Sequence, residues 1–169
     1  MKVYEILIFV VGIIITFIVA FALGFFVSKN IMQSELVKTK RYLNNAWQYQ
    51  YFLINLSKLR IRGVNVSDFV RNNNYKKVAI YGLSFLAEVV YEDLRHDDID
   101  VVCFIDRNKE GDYDGVRIVK PDESAEADLI IVCVAFGMPQ IRHSLEKAND
   151  CDMYYIYDVI VNLSEGETV

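Results

Sequence analysis

The stretch that most constrains this chain is residues 77–106, KVAIYGLSFLAEVVYEDLRHDDIDVVCFID. Residues 78–81 are apolar and run straight into Gly82. A short apolar run closed by glycine is the pattern of a strand covered on both faces. Leu86, Val89, Val90 and Leu94 then recur at helical spacing, and a second apolar run, 101–105, ends in Asp106. Strand, glycine turn, amphipathic helix and a strand ending in an acid make a β-α-β unit. Parallel neighbours need a crossover of this kind, so the unit commits the chain to a largely parallel sheet.

The residues that follow extend the sheet. A charged loop, 107–114, leads through Gly115 to a short strand over 116–119. Residues 129–134 are unbroken apolar, as a central parallel strand requires. Gly137 and Pro139 open a helix carrying Ile141 and Leu145, and 153–157 reads as the last strand. Asp158 then caps a final turn with Val159, Ile160 and Leu163. The expectation is an α/β fold: a five-stranded parallel Rossmann-like sheet over 76–164 with helices on both faces, and a tail at 165–169.

Ahead of the sheet, residues 6–27 carry no charge. Twenty-two residues at about 1.5 Å each reach about 33 Å, enough for a hydrocarbon core of about 30 Å. A cleaved signal peptide is the competing reading, because Ala20-Phe21-Ala22 mimics a cleavage site. The apolar run continues past it through Val27, which favours a transmembrane anchor over 1–28. Ala20 and Gly24 form a small-xxx-small pair of a kind that packs helices together.

Charge then divides the chain. Residues 28–62 hold seven cations (Lys29, Lys38, Lys40, Arg41, Lys58, Arg60, Arg62) against Glu35. Residues 63–169 hold 10 Lys/Arg against 21 Asp/Glu, within a net charge of −5. The cations flank the span on its C-terminal side, which predicts a single-pass protein with its N-terminus outside and its C-terminal domain in the cytoplasm. So acidic a domain excludes nucleic-acid binding by general electrostatics.

Residues 30–59 lack proline and glycine, and Leu36, Leu43, Trp47, Tyr51 (or Ile54) and Leu59 recur at helical spacing, with Gly63 as the stop. This juxtamembrane basic helix lies on anionic lipid headgroups, or it is a solvated connector packing on the domain or on a second copy, giving a homo-oligomer. A short helix capped by Ser67 completes the linking region, 29–75.

Where a dinucleotide fingerprint has G-x-G-x-x-G, this chain has Gly82-Leu83-Ser84-Phe85-Leu86-Ala87. Gly82 supplies the tight turn. Ser84 stands where a glycine lets pyrophosphate approach the backbone, and its hydroxyl can N-cap the helix. Ala87 nearly replaces the glycine of close helix–strand packing. Asp106 follows Gly82 by 24 residues, near the spacing of the acid that bonds a ribose; its alternative role is to cap the following turn. Phe136 and Gly137 lie at the carboxyl end of the central strand, where Phe136 either stacks on a base or closes the core. The candidate cofactor-binding set is therefore Gly82, Ser84, Phe85, Asp106, Arg107, Phe136 and Gly137.

Catalytic signals are sparse. No tyrosine has lysine four positions on, as short-chain dehydrogenases and epimerases require. His96 and His143 have no partner in a motif. Cys103, Cys133 and Cys151 fall in or beside strands with no Cys-x-x-Cys, which reads as reduced thiols and argues against structural zinc. No catalytic or metal-ligating residue is assigned.

The segments KKVAIYGLSFLAEVVYEDL, IDVVCFIDRN, GVRIVKPDE and ADLIIVCVAF resemble small Rossmann-like domains of bacterial cell-surface polysaccharide biosynthesis proteins. The nucleotide-sugar-binding-like N-terminal domain of sugar O-acetyltransferases is one relative, and sugar epimerase/dehydratase-like proteins are another. The resemblance covers residues 66–163. It implies that Gly82, Ser84 and Asp106 line a pocket for a nucleotide sugar or NAD, and that a glycosyltransferase or other polysaccharide-assembly protein is the partner. Ser84 and Ala87 depart from the glycine pattern, and neither an acyltransferase repeat nor an epimerase second half is recognisable. The functions implied are a non-catalytic nucleotide-binding or regulatory subunit, a ligand-free interaction module, or a NAD-dependent sugar-modifying oxidoreductase.

Overall fold

A computed structural model describes residues 3–134 and 137–166. The chain divides into two compact units, Met1–Asn44 and Asn45–Val169. The first consists of the leading part of α1 (Val3–Ile61). An 18-residue window of α1 reaches a mean hydropathy of 2.9 with none of it buried, so the helix is long and apolar enough to cross a membrane. Thr16 turns its hydroxyl onto the Ile13 carbonyl at 2.8 Å, so this polar group is satisfied within the helix.

In the second unit α1 stops where the sequence predicts. Gly63 sits at φ +79°, its N–H donates to the Arg60 carbonyl at 2.9 Å, and that of Val64 donates to Leu59 at 3.0 Å. These paired bonds close the last turn around a left-handed residue. The short helix α2 (Val66–Asn72) corrects the sequence reading at its start. Its N-cap is Asn65, whose N–H donates to Asp68 Oδ2 at 2.8 Å. Ser67 is inside the helix and fully buried, where its hydroxyl donates to Asp97. An acid three residues after Asn65 makes the stronger cap, and tertiary packing claims the serine.

The sheet has six strands, β1 (Lys77–Tyr81), β2 (Asp100–Ile105), β3 (Asp112–Tyr113), β4 (Val116–Val119), β5 (Leu129–Val132) and β6 (Asp152–Tyr155), in the order β3-β4-β2-β1-β5-β6. Every pairing is parallel except β3 with β4. Five strands were expected, so the sixth is a correction: β3 lies inside the predicted charged loop. Asp114 (φ +52°) and Gly115 (φ +79°) form the two-residue link between β3 and β4, the Asp-Gly turn with both φ positive that joins tight hairpins. Tyr113 is held there by edge-to-face contacts with Tyr91 and Phe104, at centroid distances of 5.9 and 5.4 Å.

The helices α3 (Phe85–His96), α4 (Met138–Leu145) and α5 (Ile156–Glu165) complete the second unit. One core layer joins Val78, Ile80, Phe104, Leu129 and Ile131 to α3, α2, α5 and to Phe52, Leu56 and Leu59 of α1. The opposite layer joins Ala79, Tyr81, Cys103, Ile105, Ile130 and Val132 to Ile141 and Leu145 of α4 and to Ala125. Alternate strand residues thus serve opposite layers, as the pleat dictates. Four residues of β1 and all four of β5 are buried, which is why both read as unbroken apolar runs.

The last strand is shorter than expected. Ile156, Val159, Ile160 and Leu163 are all buried on one helical face, so the 3.6-residue period wins from Ile156 onward and Asp158 lies in the first turn of α5 rather than capping it. Strand β6 is an edge, and Arg142 Nη2 donates to its Met153 carbonyl at 3.0 Å.

Candidate functional site

Counted as parallel strands alone, β4-β2-β1-β5-β6 is the order 3-2-1-4-5, that of a dinucleotide-binding fold's core. The chain leaves β1 toward β2 on one side and reaches β5 on the other. The carboxyl ends of β1 and β5 therefore flank the switch point, where open α/β sheets bind ligands. α3 packs in one core layer and α4 in the other, so the turns after β1 and β5 diverge to opposite faces there.

The turn after β1 is built around Gly82, at φ +86°. A Cβ there would meet Val134 Cγ1 at 2.5 Å, so both the backbone angle and the space demand glycine. Its N–H donates to the Ile105 carbonyl at 2.9 Å. Ser84 N-caps α3, its Oγ accepting from the Ala87 N–H at 3.4 Å, which is the capping role the sequence suggested. The same hydroxyl donates to the Cys133 carbonyl at 3.1 Å, and the Cys133 N–H donates to Tyr81 at 2.9 Å. Ser84 therefore stitches the β1 turn to the end of β5.

Asp106 closes the third side. Its Oδ2 accepts from the Leu83 N–H at 3.0 Å, and its Oδ1 accepts from Asn108 and Lys109 N–H at 2.8 and 3.1 Å. Burial alone raises the Asp106 pKa, but these three amides outweigh it and hold the carboxyl below its usual range. Of the two roles weighed for this acid, the structure shows the capping one, through Asn108 and Lys109, and adds a bond to Leu83 of the glycine turn.

The remaining candidates fall around this frame. Phe85, the first residue of α3, is 67% exposed. Arg107 is exposed, and its carbonyl accepts from Lys120 Nζ at 3.3 Å. Gly137, at φ +92°, is the N-cap of α4. Phe136 lies outside the described residues. The structure thus joins Gly82, Ser84 and Asp106 through Leu83 and Cys133, with Phe85 adjoining Ser84 and Arg107 adjoining Asp106 along the chain.

Sequence reasoning missed Lys120. Its ammonium also reaches the Lys109 carbonyl at 3.2 Å and Glu110 at 2.8 Å, fixing the loop that Asp106 begins. Its one sequence signal is position: it directly follows β4, the strand beside β2.

Groups with chemical potential are subdued here. Burial pushes the Cys103 thiol up to about 11 and raises Cys133 and Cys151 as well, the reverse of what a nucleophilic cysteine needs. All three are free thiols. Among the described residues no group of His, Cys, Asp and Glu is placed to hold a metal ion.

Fold and site define a mostly parallel, doubly wound α/β domain carrying an N-terminal helix long enough to span a membrane. A family model described as C2185-like, N-terminal, matches residues 74–157, so the chain is similar to that family from just before β1 to the start of α5. No curated protein and no solved structure matches the chain.

Proposed function

We propose that this chain is a membrane-tethered subunit that binds a nucleotide or nucleotide sugar at the β1–β5 switch point without turning it over. The carrying observation is the preformed frame there: a glycine turn whose shape is enforced by Val134, joined through Leu83 to the acid that ends β2. A carboxylate offers about four acceptor positions, so three amide contacts leave Asp106 capacity for a ribose hydroxyl. The span and the cations behind it favour a domain on the cytoplasmic side, and the resemblance to polysaccharide biosynthesis domains supplies the setting, with an assembly enzyme as the partner.

A second reading is favoured by a specific observation: Leu83 N–H and the Ser84 hydroxyl already have partners within the chain. On that reading the crevice is a closed joint and the protein is a ligand-free interaction module. Thermal shift of the full chain in nanodiscs, with NAD, coenzyme A and UDP-sugars at millimolar concentration, separates the two. Binding predicts a rise in Tm with one of these and loss of that rise in Asp106→Ala. No rise with any of them overturns the binding reading and leaves the interaction module.

A further inference from the structure

A carboxylate offers about four acceptor positions, and on Asp106 three are taken by the amides of Leu83, Asn108 and Lys109. One position remains, which suits a single ribose hydroxyl and falls short of a free diol. The charge around this acid is also unlike that of the rest of the domain. Residues 63–169 hold 10 Lys/Arg against 21 Asp/Glu, whereas residues 106–110 together with Lys120 gather three cations against two acids. Lys120 and Glu110 pair at 2.8 Å, which leaves Arg107 and Lys109 beside Asp106. Both are exposed. The Arg107 guanidinium makes no hydrogen bond or ion pair among the described residues. The backbone under these two cations is fixed, because Lys120 Nζ donates to the carbonyls of Arg107 and Lys109 at 3.3 and 3.2 Å.

We propose, on the nucleotide reading above, that the ligand is a nucleotide whose ribose itself carries a phosphate, bound by Arg107 and Lys109 while Asp106 takes the remaining hydroxyl. A 2′- or 3′-phosphate leaves its ribose one free hydroxyl, which matches the one position left on Asp106. A phosphate monoester carries about −1.5 to −2 charges at pH 7, and a guanidinium fork can hold two of its oxygens at once. An acidic domain repels such a group unless cations meet it locally, and here they stand at the end of β2. In dinucleotide-binding folds an arginine near the acid that ends the second strand accommodates a ribose phosphate. NADP, with a 2′-phosphate, and coenzyme A, with a 3′-phosphate, share this chemistry.

Isothermal titration calorimetry of the full chain in nanodiscs compares two matched pairs, NADP with NAD and coenzyme A with dephospho-coenzyme A. The phosphorylated member of one pair should bind about tenfold more tightly or better, and the pair that shows it identifies the source of the phosphate. Arg107→Ala should bring that ratio close to one. Lys147→Ala, which removes another exposed cation, should keep it. Equal binding within both pairs overturns the phosphate site and leaves the nucleotide reading standing, as does binding of UDP-sugars alone. A ratio that survives Arg107→Ala overturns it too, because the phosphate is then held elsewhere. So does a ratio lost equally in both variants, which marks net charge alone. No binding by any of these nucleotides overturns the nucleotide reading and the phosphate site together.

Discussion

Asp106 shows how much one side chain can organise. It ends β2, nucleates its own loop and reaches across to Leu83, so the position of the β1 turn depends on a carboxylate 23 residues away in the chain. The glycine side of that contact was legible in sequence, because a lone glycine straight after a buried strand marks a tight turn with positive φ. The bond to Leu83 was not, since it requires knowing that the ends of β1 and β2 lie side by side. Lys120 was hidden for the same reason. A left-handed alanine costs about 1 kcal/mol or more, and its Cβ would also have to displace Val134. Gly82→Ala is therefore expected to destabilise the protein by about 2–3 kcal/mol, measured by urea denaturation. A variant equal to wild type would show that the turn is free to relax.

At the level of elements, the readings that held were those where local and tertiary preference agree. Strands β1 and β5 and the last three residues of β2 are buried on both faces and carry their own signal, and α3 has a serine cap, an apolar stripe and basic residues in its last turn. The readings that failed were contests between periods or partners. Residues 153–157 looked extended until the helical spacing from Ile156 to Leu163 took over. β3 was concealed by charge, although Asp114-Gly115 is a strong hairpin signal between Tyr113 and Val116. That hairpin is also tied to α3, where Tyr91 and Arg95 both reach Asp114. Gly115 has open space around it, so Gly115→Ala tests the backbone angle alone. A loss of about 1 kcal/mol is expected, seen as a small fall in Tm, with no change in the Tyr91 and Phe104 environment by near-UV circular dichroism. A loss of tertiary signal would mean that the turn, not the aromatic cluster, holds β3.

Across the second unit, one ion pair ties the end of α1 to α3. Arg60 Nε donates to Asp93 Oδ1 at 2.7 Å, and Nη2 donates to the Val89 carbonyl at 3.2 Å. Asp93 is only 8% exposed, whereas the Arg60 side chain is 41% exposed. Burial raises the Asp93 pKa more than Arg60 lowers it. A carboxyl raised on folding gives its greatest stability below the unfolded pKa, and that stability is lost as pH climbs through the unfolded and then the folded value. Arg60→Met removes the opposing cation and strands the charge. The expected loss is about 1–3 kcal/mol at pH 7, discounted from the roughly 3–5 kcal/mol of a fully buried pair because Arg60 is partly solvated. The deficit relative to wild type should shrink as pH falls toward 4. Denaturation at both pH values checks this, and a deficit independent of pH would assign the loss to packing of the arginine stem. Neither residue announced this role in sequence, where Arg60 counts among the basic residues behind the span.

The borders of the sheet bear on how neighbouring copies of the protein can meet. One border is the two-residue β3, bent away by its turn, and on the other Arg142 occupies a carbonyl of β6. Strand-on-strand growth between neighbouring molecules is obstructed at both margins. Neighbouring copies can then touch often without fusing their sheets.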